Sequence, residues 1–390
     1  RRRLLCRVSS SSKCRCCFSE VHGAAPSQKM ARWSMTLPMC LAVIGKVSSF
    51  APSPALQFVL RRHTTSSSCG SLPRRLTTQW AGNKPGSLRM STSAPVGEAA
   101  VGSQSSDLLD LAVDILNEPC TDEKARKTLE ARRRWLAGEL HVREQKTPPP
   151  GLRSAPARPD YVTQVAPQKV QVKNRLALIH SLVHAESYAI DLMWDMMARF
   201  HSEDMPHEFY EDWCRVAADE ARHYTVWRQR LQELGSDYGQ MNAHRGLWDS
   251  ADDTAGDLLA RLAIVHLVHE ARGLDVSAQC EAKMLRAHPP DEVSADILRG
   301  NYKDETTHVE AGFKWFIHVC NKRGIDAPPH QVFHKIVRGN FGGLLKGPFN
   351  KEARSAVGMT EEWYMPLSDI AEKEGWTPVE LEAAREARAA

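Results

Sequence analysis

Asp219-Glu220-Ala221-Arg222-His223 stands in the middle of a segment, Glu208–Leu234, whose apolar residues recur every three or four positions. Trp213, Val216, Trp227, Leu231 and Leu234 share one face of the helix that this period predicts, and Glu220 and His223 fall on that same face. A carboxylate and an imidazole one turn apart lie side by side on a helix. Three more long segments carry such a stripe. Gln168–Phe200 places Glu186 among Leu176, Ile179, Val183, Ile190, Met193 and Met197. Asp253–Arg286 aligns Leu259, Leu262, His266, Glu270 and Gly273, and Asp291–Lys322 aligns Leu298, Glu305, His308, Gly312, Trp315 and Val319. Each predicted helix therefore carries one carboxylate in its inward face, and the fourth repeats the pair as Glu305-x-x-His308. Strand signals are scarce, so the expected class is all-α.

Spacing extends the pattern into a topology. The stretch from Glu186 to Glu220 matches that from Glu270 to Glu305 to within a single position. The second half also follows the first at a near-constant offset, Glu186 recurring as Glu270, Glu220 as Glu305 and His223 as His308. This reads as a duplicated helical hairpin with a pseudo-two-fold axis through the acids. Short links within each half make both hairpins tight and antiparallel. The link between halves, Gly235–Asp252, is much longer. It can stretch roughly 60 Å, more than the ~40 Å length of the second helix. It can therefore cross the whole bundle, as the single crossover of ferritin-like bundles does.

Four carboxylates on converging apolar faces repel one another, and an unpaired buried ion costs several kcal/mol. No Lys or Arg lies in the stripes; Arg222 and Arg272 are each two positions from a stripe acid, far round the helix. Two divalent ions would balance the four charges. The expected ligands are Glu186, Glu220, His223, Glu270, Glu305 and His308. Carboxylate-rich ligation with one imidazole per metal favours iron, with manganese the alternative, over zinc or copper.

Asp219–His223 resembles the Asp-Glu-x-Arg-His motif of carboxylate-bridged di-iron oxygenases and oxidases. The second copy, Asp304-Glu305-Thr306-Thr307-His308, keeps Asp, Glu and His but lacks the Arg. Ala189-Ile190-Asp191-Leu192, Glu270-Ala271-Arg272-Gly273-Leu274-Asp275-Val276 and Lys346-Gly347-Pro348-Phe349-Asn350 add a closer resemblance, over most of 106–367, to a ferritin-like domain family of unassigned reaction. It is more distantly similar to tRNA-modifying di-iron hydroxylases. The resemblance implies a ferritin-like four-helix bundle with N-terminal helices and a C-terminal extension, two iron ions and two bridging carboxylates. It also implies Glu186 and Glu270 as single-helix ligands beside the two Glu/His pairs. Asp219 and Asp304 become candidate acceptors for the outer N–H of the opposite ligand histidine, with Arg222 beside them. His266, one turn before Glu270, is either an extra ligand, a proton relay or a core histidine. Gly273 either leaves space beside the metals or lets helices approach. His180, His184 and His269 point away from the acids, and Trp213, Trp227 and Trp315 read as core.

The charge of the chain is divided. Residues 1–105 hold 15 Lys+Arg and two acids, whereas the remainder holds 36 basic and 45 acidic residues, a net of −9. An acidic folded part counts against nucleic acid as a partner. Residues 1–105 read as a disordered targeting leader. The short apolar run Met35–Gly45, followed by Ser48-Ser49-Phe50-Ala51-Pro52, suggests a bipartite plastid presequence; recurring Arg makes a mitochondrial one the alternative. The run is too short to span a bilayer. Residues 106–160 divide into two predicted helices, Asp107–Asn117 and Asp122–Leu140 with Asp122 as N-cap, and a Pro-rich arm, Thr147–Pro159. The bundle is expected over 161–325 and an extension with a polar helical end over 326–390. The expected function is O2-dependent oxidation or hydroxylation of an unidentified substrate with an unidentified electron donor. The rivals are ferroxidase or iron handling, and a metal-free or non-redox binding module.

Overall fold

The computed structural model describes residues 105–376; residues 1–104 of the expected leader and 377–390 of the expected extension lie outside the described residues. Within them the chain is all-α, and pairing between extended segments is limited to isolated bridges. No helix among them is long and apolar enough to cross a membrane.

The chain opens with α1 (Leu108–Leu116) and α2 (Thr121–Leu136), then crosses the Pro-rich arm to α3 (Arg175–Arg199) and α4 (His207–Glu233). A short α5 (Gly246–Asp253) precedes α6 (Leu258–Ala263), which runs through a π-helical turn, Ile264–His269, into α7 (Glu270–Leu285). Then come α8 (Glu292–Lys322), α9 (Pro329–Asn340), α10 (Lys351–Ala356) and α11 (Glu361–Tyr364). Two hairpins, α3 with α4 and α6–α7 with α8, make the bundle, and α4 meets α8 at its centre. The crossover between the hairpins carries α5, which packs on α3 and the π turn.

The helix ends differ from the sequence expectation for local reasons. The first bundle helix begins at Arg175 and not near Gln168, because the Asn174 carboxamide caps it by accepting the Ala177 N–H at 2.9 Å. Asp253 ends α5 instead of starting the third bundle helix; Thr254-Ala255-Gly256 break the chain, and Asp257 caps α6 through the N–H groups of Leu259 and Ala260. Asp122 is not the cap of α2, which starts at Thr121. Its carboxylate instead accepts the Tyr224 hydroxyl at 2.9 Å and pairs with Arg228, joining α2 to α4. That helix stops at Leu136, short of Leu140, and the chain turns at Gly138, whose φ of 70° suits glycine.

One hydrophobic core runs through the bundle, α1, α2 and the C-terminal helices. Trp213, Trp227 and Trp315 are buried in it. Buried charges fasten the outer layers. Asp191 on α3 receives Lys124 from α2 and, at 2.8 Å, Arg158 from the arm. Arg158 also donates to the Ser187 carbonyl and to the Tyr238 hydroxyl, both at 2.9 Å. On α7, Asp275 accepts both Arg354 Nε at 2.9 Å and Arg354 Nη2 at 2.7 Å, which ties α10 to the bundle. In both clusters opposite charges and hydrogen bonds offset the loss of hydration.

Candidate metal centre

The inward faces of the four bundle helices bring Glu186, Glu220, His223, Glu270, Glu305 and His308 to one place, halfway along the bundle. They form two overlapping groups, Glu186/Glu220/His223/Glu305 and Glu220/Glu270/Glu305/His308, and within each the potential ligand atoms lie within 4.8 Å of one another. Glu220 and Glu305 belong to both groups. The arrangement thus has two halves, each with one imidazole and one carboxylate of its own, joined by two shared carboxylates.

The imidazoles point inward through Nδ1. His223 Nδ1 lies 3.5 Å from Glu220, 3.6 Å from Glu305 and 3.9 Å from Glu186. His308 Nδ1 lies 3.0 Å from Glu220 and 3.6 Å from Glu305. Yet His223 Nδ1, His308 Nδ1 and Glu220 Oε2 are buried and make no hydrogen bond. Such groups are rare in folded proteins unless they serve another partner. Three orphaned ligand-type atoms facing one point, among four carboxylates, fit divalent cations, and the cluster is compatible with metal binding.

Charge in the cluster is uneven. Burial pushes the Glu186 carboxyl well above its usual range, reinforced by the Glu220 charge. Burial acts likewise on Glu270, with Glu220 and Glu305 adding repulsion. Burial would also raise Glu220, but His308 and His223 outweigh it and hold that carboxyl low. Burial opposes a charge on His223, yet Asp304 behind the ring and the Glu220 and Glu186 carboxylates before it carry its pKa to about 11. Without a cation, the cluster therefore keeps its charge down by holding protons on Glu186, Glu270 and the imidazoles. Bound cations would displace those protons.

The outer face of each imidazole is held by an aspartate from the other Glu/His helix. His223 Nε2 is 3.2 Å from Asp304 Oδ2, and His308 Nε2 is 3.3 Å from Asp219 Oδ2. Arg222 donates to Asp219 and lies 3.6 Å from Asp304. Arg215, which the sequence reading passed over, donates to Thr307 Oγ1 at 2.7 Å and more weakly to Asp219 at 3.4 Å. Thr307 holds the position in the second motif that Arg222 holds in the first, so Arg215 brings a guanidinium to the copy that lacks one. Its only sequence signal is its place one turn before Asp219.

His266 stands apart from both groups. It is fully buried, its ring is 4.3 Å from that of Trp213, and neither ring nitrogen makes a hydrogen bond. Burial pushes its pKa well below the usual value, so the ring is neutral. Its carbonyl lies against Gly312, where a Cβ would come within 2.3 Å of that oxygen. The close helix approach is thus at Gly312. At Gly273 an added Cβ would meet only Glu305 Oε2, at 3.8 Å. His180, His184 and His269 bond elsewhere, to the Gly239 N–H, to Tyr238 and the His244 carbonyl, and to Ser250.

Beside the cluster is a chamber of about 260 Å3. Glu186, Glu220, Glu270 and Glu305 line it, whereas neither His223 nor His308 does. Its walls are α3 (Leu182, Leu192), α7 (Val276) and α8 (Leu298), and the C-terminal extension adds Phe341 and Phe349. The sequence reading did not anticipate this space, because its walls come from segments distant in the chain.

A family model described as protein of unknown function (DUF455) matches residues 117–365, and the chain belongs to that family. An uncharacterized protein of Haemophilus influenzae is 35% identical over 190 residues, which cover 47% of this chain and 65% of that relative. The aligned part therefore spans just under two thirds of the relative's length. No solved structure matches the chain.

Proposed function

We propose that this family member is a dinuclear iron protein that uses O2 to oxidise or hydroxylate a substrate held in the chamber. The observation that carries the reading is the pair of overlapping ligand groups with Glu220 and Glu305 in common. Two ions held side by side can act together on one O2 molecule. When bound, a pair of Fe(II) ions would supply reduction of O2, one oxygen atom going to a C–H bond and the other, with two electrons from an external donor and two protons, to water.

The chain's own residues divide the work. Glu220 and Glu305 would join the two ions, and His223 and His308 would each fix one. Asp304 and Asp219 hold those imidazoles in one orientation through their outer nitrogens. Glu186 and Glu270, whose carboxyls burial favours in the protonated form, would release their protons as cations bind. Apolar side chains make up much of the lining on that side. Six protein ligands for two ions leave positions open, unlike a closed structural site.

Metal analysis of the purified protein, with O2 consumption by the reduced form, tests the reading. Two irons per chain, rapid O2 uptake and a ferric charge-transfer absorption are expected. Because metal would bind only the folded state, chelation should lower the melting temperature, and Glu220→Ala should remove most of that difference. Two bound irons that ignore O2 with any donor would sink both the oxygenase and the ferroxidase readings. Rapid iron oxidation that no organic molecule alters would favour iron handling.

A further inference from the structure

We propose that the chamber binds an uncharged, apolar organic molecule about the size of two fused rings, and that this is the class of substrate presented to the metal centre. The inference rests on the dinuclear-metal reading for the exclusion of cationic ligands and for the substrate role; the binding of an apolar molecule stands on the chamber itself.

Three observations carry it. The first is orientation. All four ligand carboxylates border the chamber and both imidazoles are turned away from it, so the space lies on the side of the cluster that the histidines leave open. Ala185, Ala189 and Gly273 border it near Glu186 and Glu270. At Gly273 nothing but Glu305 Oε2 comes within 4 Å of an added Cβ. Small residues there let a ligand reach the acids.

The second is charge. Each charged side chain of the lining, other than those carboxylates, is engaged within the protein. Arg354 and Asp275 bond each other in two places. Arg272 donates to the Lys346 carbonyl at 2.7 Å, and Lys346 Nζ pairs with Asp369 at 3.3 Å. The His269 ring is likewise engaged, with the Ser250 hydroxyl at 2.9 Å. With the four carboxylates committed to cations, the carboxylate, phosphate or ammonium of a ligand would find no counter-charge that is not already engaged, and its desolvation would go uncompensated.

The third is size. An apolar cavity of roughly 150 Å3 accommodates one benzene molecule. At about 260 Å3 the chamber takes a little less than twice that.

The test uses the full chain, iron-loaded and metal-free, and two fluorescent probes of one shape, 1-naphthol (uncharged at neutral pH) and 1-naphthoate (an anion). We expect saturable binding of one 1-naphthol per chain, with 1-naphthoate about tenfold weaker or worse. Val276→Phe and Leu298→Trp, which fill the chamber from α7 and α8, should each weaken 1-naphthol about tenfold or more while iron content and helical circular dichroism stay unchanged. Absence of saturable binding would overturn the proposal, as would equal affinity for the two probes or binding that both filled variants leave intact. The probe comparison uses the unaltered chain, so it decides even if a filled variant fails to fold. Iron is counted on the same samples. One naphthol bound without any iron would remove the metal reading and leave the chamber, whereas two irons without naphthol binding would do the reverse.

Discussion

Arg222 donates to Asp219 and lies 3.6 Å from Asp304, so one guanidinium steadies the acceptors behind both imidazoles. Its side chain is 53% exposed, and the ion pairs alone would contribute little to stability. Its value lies in geometry, since an imidazole whose outer nitrogen is held enters a coordination site already oriented. Asp304→Ala frees His223 and should weaken metal binding by roughly 10–100-fold with the helices intact; Fe(II) or Co(II) titration measures it. Removal of Arg222 should disturb both halves, because both aspartates depend on it. An unchanged titration for both variants would mean that the aspartates have no part in metal binding. The ligand-type residues were legible because a carboxylate inside an apolar period is conspicuous, and Glu220-x-x-His223 recurring in the second hairpin as Glu305-x-x-His308 is more so. Arg215 was not, because nothing local separates it from a solvated arginine; it matters only because Thr307 stands across from it.

Among the elements, the third bundle helix departs furthest from expectation. Periodicity predicted one helix from Asp253, whereas the structure begins it at Leu258 and widens it to a π turn over Ile264–His269, just before Glu270. A π turn shifts the helical register, and such turns gather at functional sites. Apolar periodicity cannot reveal it, since Leu259, Leu262, His266 and Glu270 are spaced like any helical stripe. Its trace in the sequence is indirect: Gly312 on α8 accommodates the His266 carbonyl. Gly312→Ala would drive a methyl group into that oxygen, and the backbone has to move. A loss of about 1–3 kcal/mol is expected, read from urea unfolding. If the substitution stabilises the protein instead, as alanine does in an ordinary helix interior, the tight approach of α8 to the π turn is wrong.

At the scale of the whole molecule, the bundle is only part of the folded unit. The Pro-rich arm is fixed through Arg158, and the C-terminal extension through Arg354 on Asp275. Without Arg354, Asp275 keeps only Arg272, at 3.6 Å, and the Asn350 N–H, at 2.9 Å. Arg354→Ala should therefore cost about 1–3 kcal/mol and expose the 341–350 segment to proteases, while the six ligand-type residues stay where they are. Equal protease resistance in variant and parent would show that the extension is held by its apolar contacts alone. Asp191, Asp275 and Lys346–Asn350 were legible as a motif, but their purpose was not, because it depends on contacts between chain segments that sequence spacing does not record. The position of the extension has a further consequence. It follows all six ligand-type residues in the chain, yet it supplies a wall of the chamber through Phe341, Leu345 and Phe349. Substitutions there can reshape the chamber without touching the Glu/His cluster. Within this family, divergence in substrate is then expected to accumulate after Lys322, and chimaeras exchanging only that part should trade ligand preference while keeping the same metal content.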